Sequence, residues 1–168
     1  MQLRNIPSVE SVIKNCGNSF KICLVDDSSF ERLLPEWSIC MDGLSEPVKD
    51  RVRTLALSKL LYTYGGILIP NSTIMMKDMK SLYDTKLLEN ELFVGELLNK
   101  GDSNEITRFF PSFKLMGCHK NSVVMKDLIE YLEILISKDN TDMPNFQSII
   151  NRYLFKLIND NKCSLIDG

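Results

Sequence analysis

The feature that most constrains the fold of this chain is a helical pattern over residues 48–64. Six residues recur there at helical spacing: Val52, Leu55, Ala56, Lys59, Leu60 and Tyr64. Three more make the segment apolar on a second side: Leu57, Leu61 and Tyr62. A helix of this kind is typical of a position between two layers rather than on the surface. We therefore expect a buried helix that ends at Gly65-Gly66, followed by a short strand over residues 67–69 that Pro70 ends.

The rest of the chain alternates between strand and helix patterns. Runs of β-forming residues predict five further strands, over residues 20–25, 37–41, 92–98, 113–117 and 163–166. Helical spacing and capping residues predict helices over residues 7–16, 28–34, 78–83, 121–137 and 144–159. Strands that alternate with helices favour a layered α/β fold, with a mostly parallel sheet and helices on both faces. We expect one domain over residues 1–168, either complete or a fragment of a longer chain.

Composition excludes several classes of protein. The 20 Lys and Arg residues nearly balance 22 Asp and Glu, and the pI of about 5.5 argues against nucleic acid as a partner. The sequence contains no apolar run long enough to span a membrane, and its start lacks the pattern of a secretion signal. Five cysteines without a CxxC pair, and a single histidine, favour free thiols over a disulfide framework or a structural zinc site. These features predict a protein of a reducing compartment, in the cytoplasm or in a virion.

One segment resembles a known family. Between residues 51 and 84 a long helix ends in Tyr-Gly-Gly, and an apolar strand and a polar turn follow it. This order resembles the sugar-binding region of DXD-type glycosyltransferases, which have a GT-A (Rossmann-like) fold. In that family an Asp and an Arg on the helix face the nucleotide-sugar, and an Asp-x-Asp after the strand holds a divalent cation. Carboxylates are the hard ligands that such a cation prefers, and the cation neutralises the leaving diphosphate.

The resemblance extends to other segments in the same order. Residues 20–27 resemble the family's early strand with its acidic end, and residues 37–39 resemble the short strand after it. Residues 113–122 resemble a later turn in which a small residue and a histidine precede an amphipathic helix. The runs DDSSF and LLPEW, between residues 26 and 37, also make the chain similar to proteins of large DNA viruses.

The positions that carry charge in the family are neutral in this chain. Counted from Gly65, the family's helical Asp and Arg fall on Thr54 and Leu57, and its Asp-x-Asp falls on Pro70-Asn71-Ser72. Neutral oxygens hold a cation weakly, and a leucine cannot pair with a phosphate. We therefore expect that metal-dependent sugar transfer has been lost and that no cofactor is needed.

Six residues are candidates for ligand binding, and each also has another interpretation. Asp26 and Asp27 follow a predicted strand, where ligands gather in open α/β sheets, although Asp27 is also suited to cap the next helix. That helix carries a capping-box pattern at Ser28 and Glu31. The others are Gly65 and Gly66, which also fit a helix C-cap, and Asn71 and Ser72, which begin a glycosylation sequon.

Three functional hypotheses follow, and the sequence assigns no catalytic residue to any of them. The first is a glycosyltransferase-like binding or structural module, possibly virus-encoded, whose partner is a nucleotide-sugar or a protein. The second is an active nucleotide-sugar-dependent transferase with an atypical site around Asp26, Asp27, Asn71 and Ser72, using Mn²⁺ or Mg²⁺. The third is an interaction module without a ligand. The sequence leaves the sugar, the acceptor, the partner and the oligomeric state open.

Overall fold

The structure is a computed structural model that describes residues 7–96, 110–138 and 143–166, and the side chains of the last range from residue 146. Its helices are α1 (Pro7–Cys16), α2 (Phe30–Leu33), α3 (Val48–Tyr64), α4 (Lys80–Glu89), α5 (Val123–Ser137) and α6 (Met143–Asn159). Short 3₁₀ turns lie at Asp27–Ser29 and Met41–Gly43. Its strands are β1 (Gly66–Leu68), β2 (Leu92–Glu96), β3 (Pro111–Cys118) and β4 (Ser164–Ile166).

The four strands form one mixed sheet in the order β1-β3-β2-β4. The strand β3 pairs antiparallel with both β1 and β2, and only β2 and β4 are parallel. The prediction of an α/β protein is therefore confirmed, and that of a mostly parallel sheet is wrong. The physical reason is that β3 is antiparallel to both of its neighbours in the sheet, and two segments expected to add parallel strands form no strand in the described chain.

Those two expected strands, over residues 20–25 and 37–41, are irregular within the described chain. Residues 21–25 form no backbone hydrogen bond with any described residue, and Leu24 is 50% exposed. The second segment ends in the 3₁₀ turn Met41–Gly43. Both runs contain β-forming residues, but a strand also requires a neighbour with free backbone groups, and local composition cannot supply one.

Helices cover both faces of the sheet. On one face Leu92 and Val94 belong to the main hydrophobic core with residues of α5 and α6. On the other face the ring of Phe93 lies 6.2 Å from that of Tyr83, on α4. This arrangement follows from the alternation of side chains along a strand.

The helix α3 has the expected bounds and lies between two cores, which confirms its predicted buried position. Leu55 and Leu61 pack into the main core, while Val52 and Ala56 pack into a second core with Phe30. The remaining helices match their predicted positions within a few residues, except α4, which continues to Glu89. Within the described ranges, no helix is long and apolar enough to cross a membrane.

Candidate functional site

Asp26 caps the short helical segment that follows it. Its Oδ1 accepts hydrogen bonds from the hydroxyls of Ser28 (2.8 Å) and Ser29 (2.5 Å), and its own amide donates to Ser29 Oγ at 3.3 Å. The hydrogen bonds from Ser29 and Ser28 lower the pKa of Asp26. The capping role predicted for Asp27 and for the Ser28–Glu31 pair thus belongs to Asp26 and Ser29, because the helical segment begins earlier than predicted.

Asp27 is held by two cations of α3. Arg53 donates two hydrogen bonds to it, from Nε to Oδ1 at 2.7 Å and from Nη2 to Oδ2 at 2.8 Å. Lys49 Nζ lies 3.4 Å from the same Oδ2. Arg53 also donates from Nη1 to Glu46 Oε1 at 2.9 Å. Both carboxylate oxygens of Asp27 therefore have partners within the protein.

The four charges of this cluster balance one another and explain its pKa shifts. The hydrogen bonds from Arg53, assisted by Lys49, hold the pKa of Asp27 below its ordinary value. Asp27 and Glu46 in turn raise the pKa of Arg53 above its ordinary value. A carboxylate neutralised in this way is a poor ligand for an additional cation, and the cluster chiefly fastens the segment at Asp27 to α3.

A recess of about 120 Å³ lies beside Asp27. Ligand pockets in proteins usually enclose about 300–1,000 Å³, so this recess is too small to enclose a nucleotide-sugar. Within the described residues, no three His, Cys, Asp or Glu side chains come together in a way that could hold a metal ion. The recess is lined by Asp27, Ser28, Glu31, Cys40, Met41 and Asp42.

Gly65 and Gly66 form the connection between α3 and β1. Gly65 has φ 70° and ψ −175°, and its amide donates to Leu61 O at 2.8 Å. A Cβ at Gly65 would lie 2.8 Å from the backbone nitrogen of Lys120. Gly66 has φ 110° and pairs with Cys118 in the sheet. The C-cap alternative therefore accounts for Gly65, which permits both the backbone conformation and the close approach of the two chains.

Asn71 and Ser72 occupy an exposed turn after β1. The amide of Thr73 donates to Pro70 O at 3.0 Å and closes this turn. Neither Asn71 nor Ser72 lines the recess beside Asp27, and no hydrogen bond or ion pair among the described residues joins them to Asp26 or Asp27. The structure therefore does not bring the six candidate residues together in one site.

Cys118 and His119 are adjacent at the end of β3 but have different surroundings. Cys118 is buried, its thiol donates to Leu61 O at 3.5 Å, and burial followed by the charge of Glu91 raises its pKa to about 12. The ring of His119 is exposed and lies 6.2 Å from that of Tyr83. A thiol that remains protonated near neutral pH is not an activated nucleophile.

Sequence reasoning missed the basic residues of α3. Lys49 and Arg53 lie four residues apart on α3, with Glu46 just before the helix, and this spacing indicates that one side of the helix is charged. The spacing does not identify Asp27 as the acceptor, because Asp27 lies 26 residues before Arg53. Arg51 was missed as well, and it is buried.

Comparison of the chain with protein-family models, with curated proteins and with solved structures gives no match. The functional assignment therefore depends on the residues and contacts described above.

Proposed function

We propose that this chain is a glycosyltransferase-like domain that has lost metal-dependent sugar transfer and acts as a binding or structural module. The observation that carries the proposal concerns the helix positions at which the family has charged residues. Leu57, at the position of the family's Arg, packs against the second core, which contains Phe30 and Val52. The Thr54 hydroxyl donates to Asp50 O, one turn earlier in its own helix, at 3.0 Å. Both positions therefore stabilise α3 in this chain.

Contacts between the two segments that carry the resemblance support a common framework. Gly66 of the first segment pairs with Cys118 of the second, and the Asn121 amide donates to Tyr62 O at 2.7 Å. Gly65 also lies against the backbone of Lys120. The helix end, the strand β1 and the later turn are thus neighbours, which supports the proposal that the two segments form one framework.

The turn that corresponds to the family's metal site is uncharged and exposed. Asn71 and Ser72 offer only neutral oxygens there, and such ligands bind divalent cations weakly. Asp27, the carboxylate that the atypical site would use, is neutralised by Arg53 and Lys49. These contacts favour the degenerate domain over an active transferase with an atypical site.

The proposal is tested by restoring the missing charges. In Pro70→Asp/Ser72→Asp we expect Mn²⁺ binding by calorimetry that the wild type lacks, because two carboxylates would then follow β1. The matched control is Pro70→Asn/Ser72→Asn, which has similar volume without charge. A fourfold variant that adds Thr54→Asp and Leu57→Arg should also gain stabilisation by UDP- or GDP-sugars in thermal unfolding.

Two results would overturn the proposal. Sugar transfer by the wild type, or its stabilisation by a nucleotide-sugar only when Mn²⁺ is present, would establish the active transferase instead. A folded Pro70→Asp/Ser72→Asp variant that gains no Mn²⁺ affinity over its Asn control would contradict the inherited framework. The two-site variant keeps the test decisive if the fourfold variant does not fold, since Thr54 is buried and Leu57 half-buried.

A further inference from the structure

Arg51 is a buried cation for which the described part of the chain supplies no counter-ion. It lies on α3 and is 3% exposed. Its Nε and Nη2 atoms are buried and have no hydrogen-bond partner in the described part of the chain. The guanidinium carbon lies 5.2 Å from the centre of the Phe146 ring, on α6.

The two unpartnered nitrogens form a single edge of the guanidinium group. Arg53, two residues further along the same helix, uses the same pair of atoms to hold both carboxylate oxygens of Asp27. Parallel hydrogen bonds from this edge are the geometry by which arginine recognises carboxylates and phosphates. In Arg51 the same edge is buried, but neither of its two nitrogens donates a hydrogen bond within the described chain.

The side chain of Arg51 brings a charged guanidinium group into the protein interior. A buried charge without a partner is strongly unfavourable. The face of Phe146 compensates for part of this cost through a cation–π contact. An aromatic ring is only a weak acceptor of N–H groups, however, so it does not replace the oxygen acceptors that the Nε–Nη2 edge lacks in the described chain.

We propose that the Nε–Nη2 edge of Arg51 binds an oxyanion, the phosphate or carboxylate group of a small ligand, through two parallel hydrogen bonds. This site is independent of the proposed function, because it uses neither the turn at Asn71 and Ser72 nor a metal ion. It selects for anions that present two oxygens side by side. A halide has one acceptor centre and bridges both nitrogens only through bent hydrogen bonds, so it should bind this edge more weakly.

The first experiment compares anions on the wild-type protein. Thermal unfolding is followed with sodium phosphate, sodium acetate or sodium chloride at equal ionic strength. Phosphate or acetate should raise the melting temperature in a saturable manner and by more than chloride does, because a tighter ligand of the folded state stabilises it more. Whichever of phosphate and acetate gives the larger increase in melting temperature identifies the ligand group as phosphate or carboxylate.

The second experiment assigns the effect to Arg51. Arg51→Lys keeps the positive charge but loses the two parallel donors of the Nε–Nη2 edge. Calorimetry should therefore show at least about tenfold weaker binding of the stabilising anion. Arg51→Met should abolish binding. The matched control is Arg152→Met on α6, which removes the same charge from an exposed position and should leave the affinity unchanged.

The proposal fails if neither oxyanion stabilises the wild type more than chloride does. It also fails if Arg51→Lys binds as tightly as the wild type, or if Arg152→Met weakens binding as much as Arg51→Met. Arg51→Lys keeps the positive charge, so its affinity for the anion decides the assignment to Arg51 even if Arg51→Met does not fold.

Discussion

Asp27 and Arg53 are joined at two points, Oδ1 to Nε and Oδ2 to Nη2, across 26 residues of sequence. Asp27 begins the 3₁₀ turn that precedes α2, and Arg53 lies in the first half of α3. Their side chains are only 26% and 34% exposed. The pair therefore fixes an otherwise irregular stretch of chain to the central helix.

We expect a measurable interaction energy between these two residues. In a double-mutant cycle with Asp27→Asn and Arg53→Met, the coupling free energy should be about 1 kcal/mol. The reason is that the pair is bidentate and partly buried, and that Lys49 also contacts Asp27. Urea unfolding of the four proteins gives this value. The comparison pair is Lys126–Glu130, whose side chains are both 60% exposed and 3.8 Å apart. Its coupling should be no more than about 0.5 kcal/mol, and equal couplings for the two pairs would contradict this account.

The same pair predicts a specific dependence of stability on pH. Because Arg53 holds the pKa of Asp27 below 3.8, the unfolded chain takes up a proton at this site before the folded protein does as the pH falls. The stabilisation is thus complete above the unfolded pKa and is lost as the pH falls through the folded pKa. The difference in unfolding free energy between wild type and Asp27→Asn should be constant from pH 7 to about 5 and shrink below about pH 4. A difference that stays constant into acid would show that the ion pair contributes nothing.

The bounds of α1, α3 and β1 are predicted well because residues at their own ends determine them. Pro7 suits the first turn of a helix, and Gly65 suits a C-cap, so both α1 and α3 have the predicted bounds. The strand β1 is placed within one residue for the same reason, because it lies between Gly65 and Pro70. In each case the decisive interaction spans only a few residues.

What the sequence does not predict depends on distant partners. The run over residues 20–25 is rich in β-forming residues, yet the described chain offers it no backbone partner. The antiparallel pairing of β1 with β3 joins segments about fifty residues apart, and their direction is not encoded in either segment. The sequence likewise predicts Asp27 as a ligand-binding residue or a helix cap, and only the position of Arg53 shows that it forms an ion pair. The ion-pair cluster around Asp27 could therefore not be predicted from the sequence, because its members are distant along the chain.

Glycine substitutions should separate backbone strain from surface tolerance. Gly65→Ala combines a conformation that is almost restricted to glycine with a 2.8 Å approach to the Lys120 nitrogen, so we expect a loss of about 3 kcal/mol. Gly66→Ala has a positive φ but open space, and should lose about 1–2 kcal/mol. Gly43→Ala is the control, because nothing lies within 4 Å of its Cβ position, and it should change stability by less than about 0.5 kcal/mol. Chemical unfolding measures all three, and a Gly65→Ala variant as stable as Gly43→Ala would refute the close packing described here.

Hydrogen exchange should distinguish residues 21–25 from the strands of the sheet. The amides of these residues donate to no backbone or side-chain acceptor in the described chain, so we expect protection factors of no more than about 10. The amides of β3 that bond to β1 and β2 should be protected at least about a thousandfold, since they open only with the core. Exchange followed by NMR or mass spectrometry measures both segments in the same sample, and β3 serves as the internal standard. Protection of residues 21–25 at the level of β3 would mean that this run is a paired strand after all, as its composition predicts.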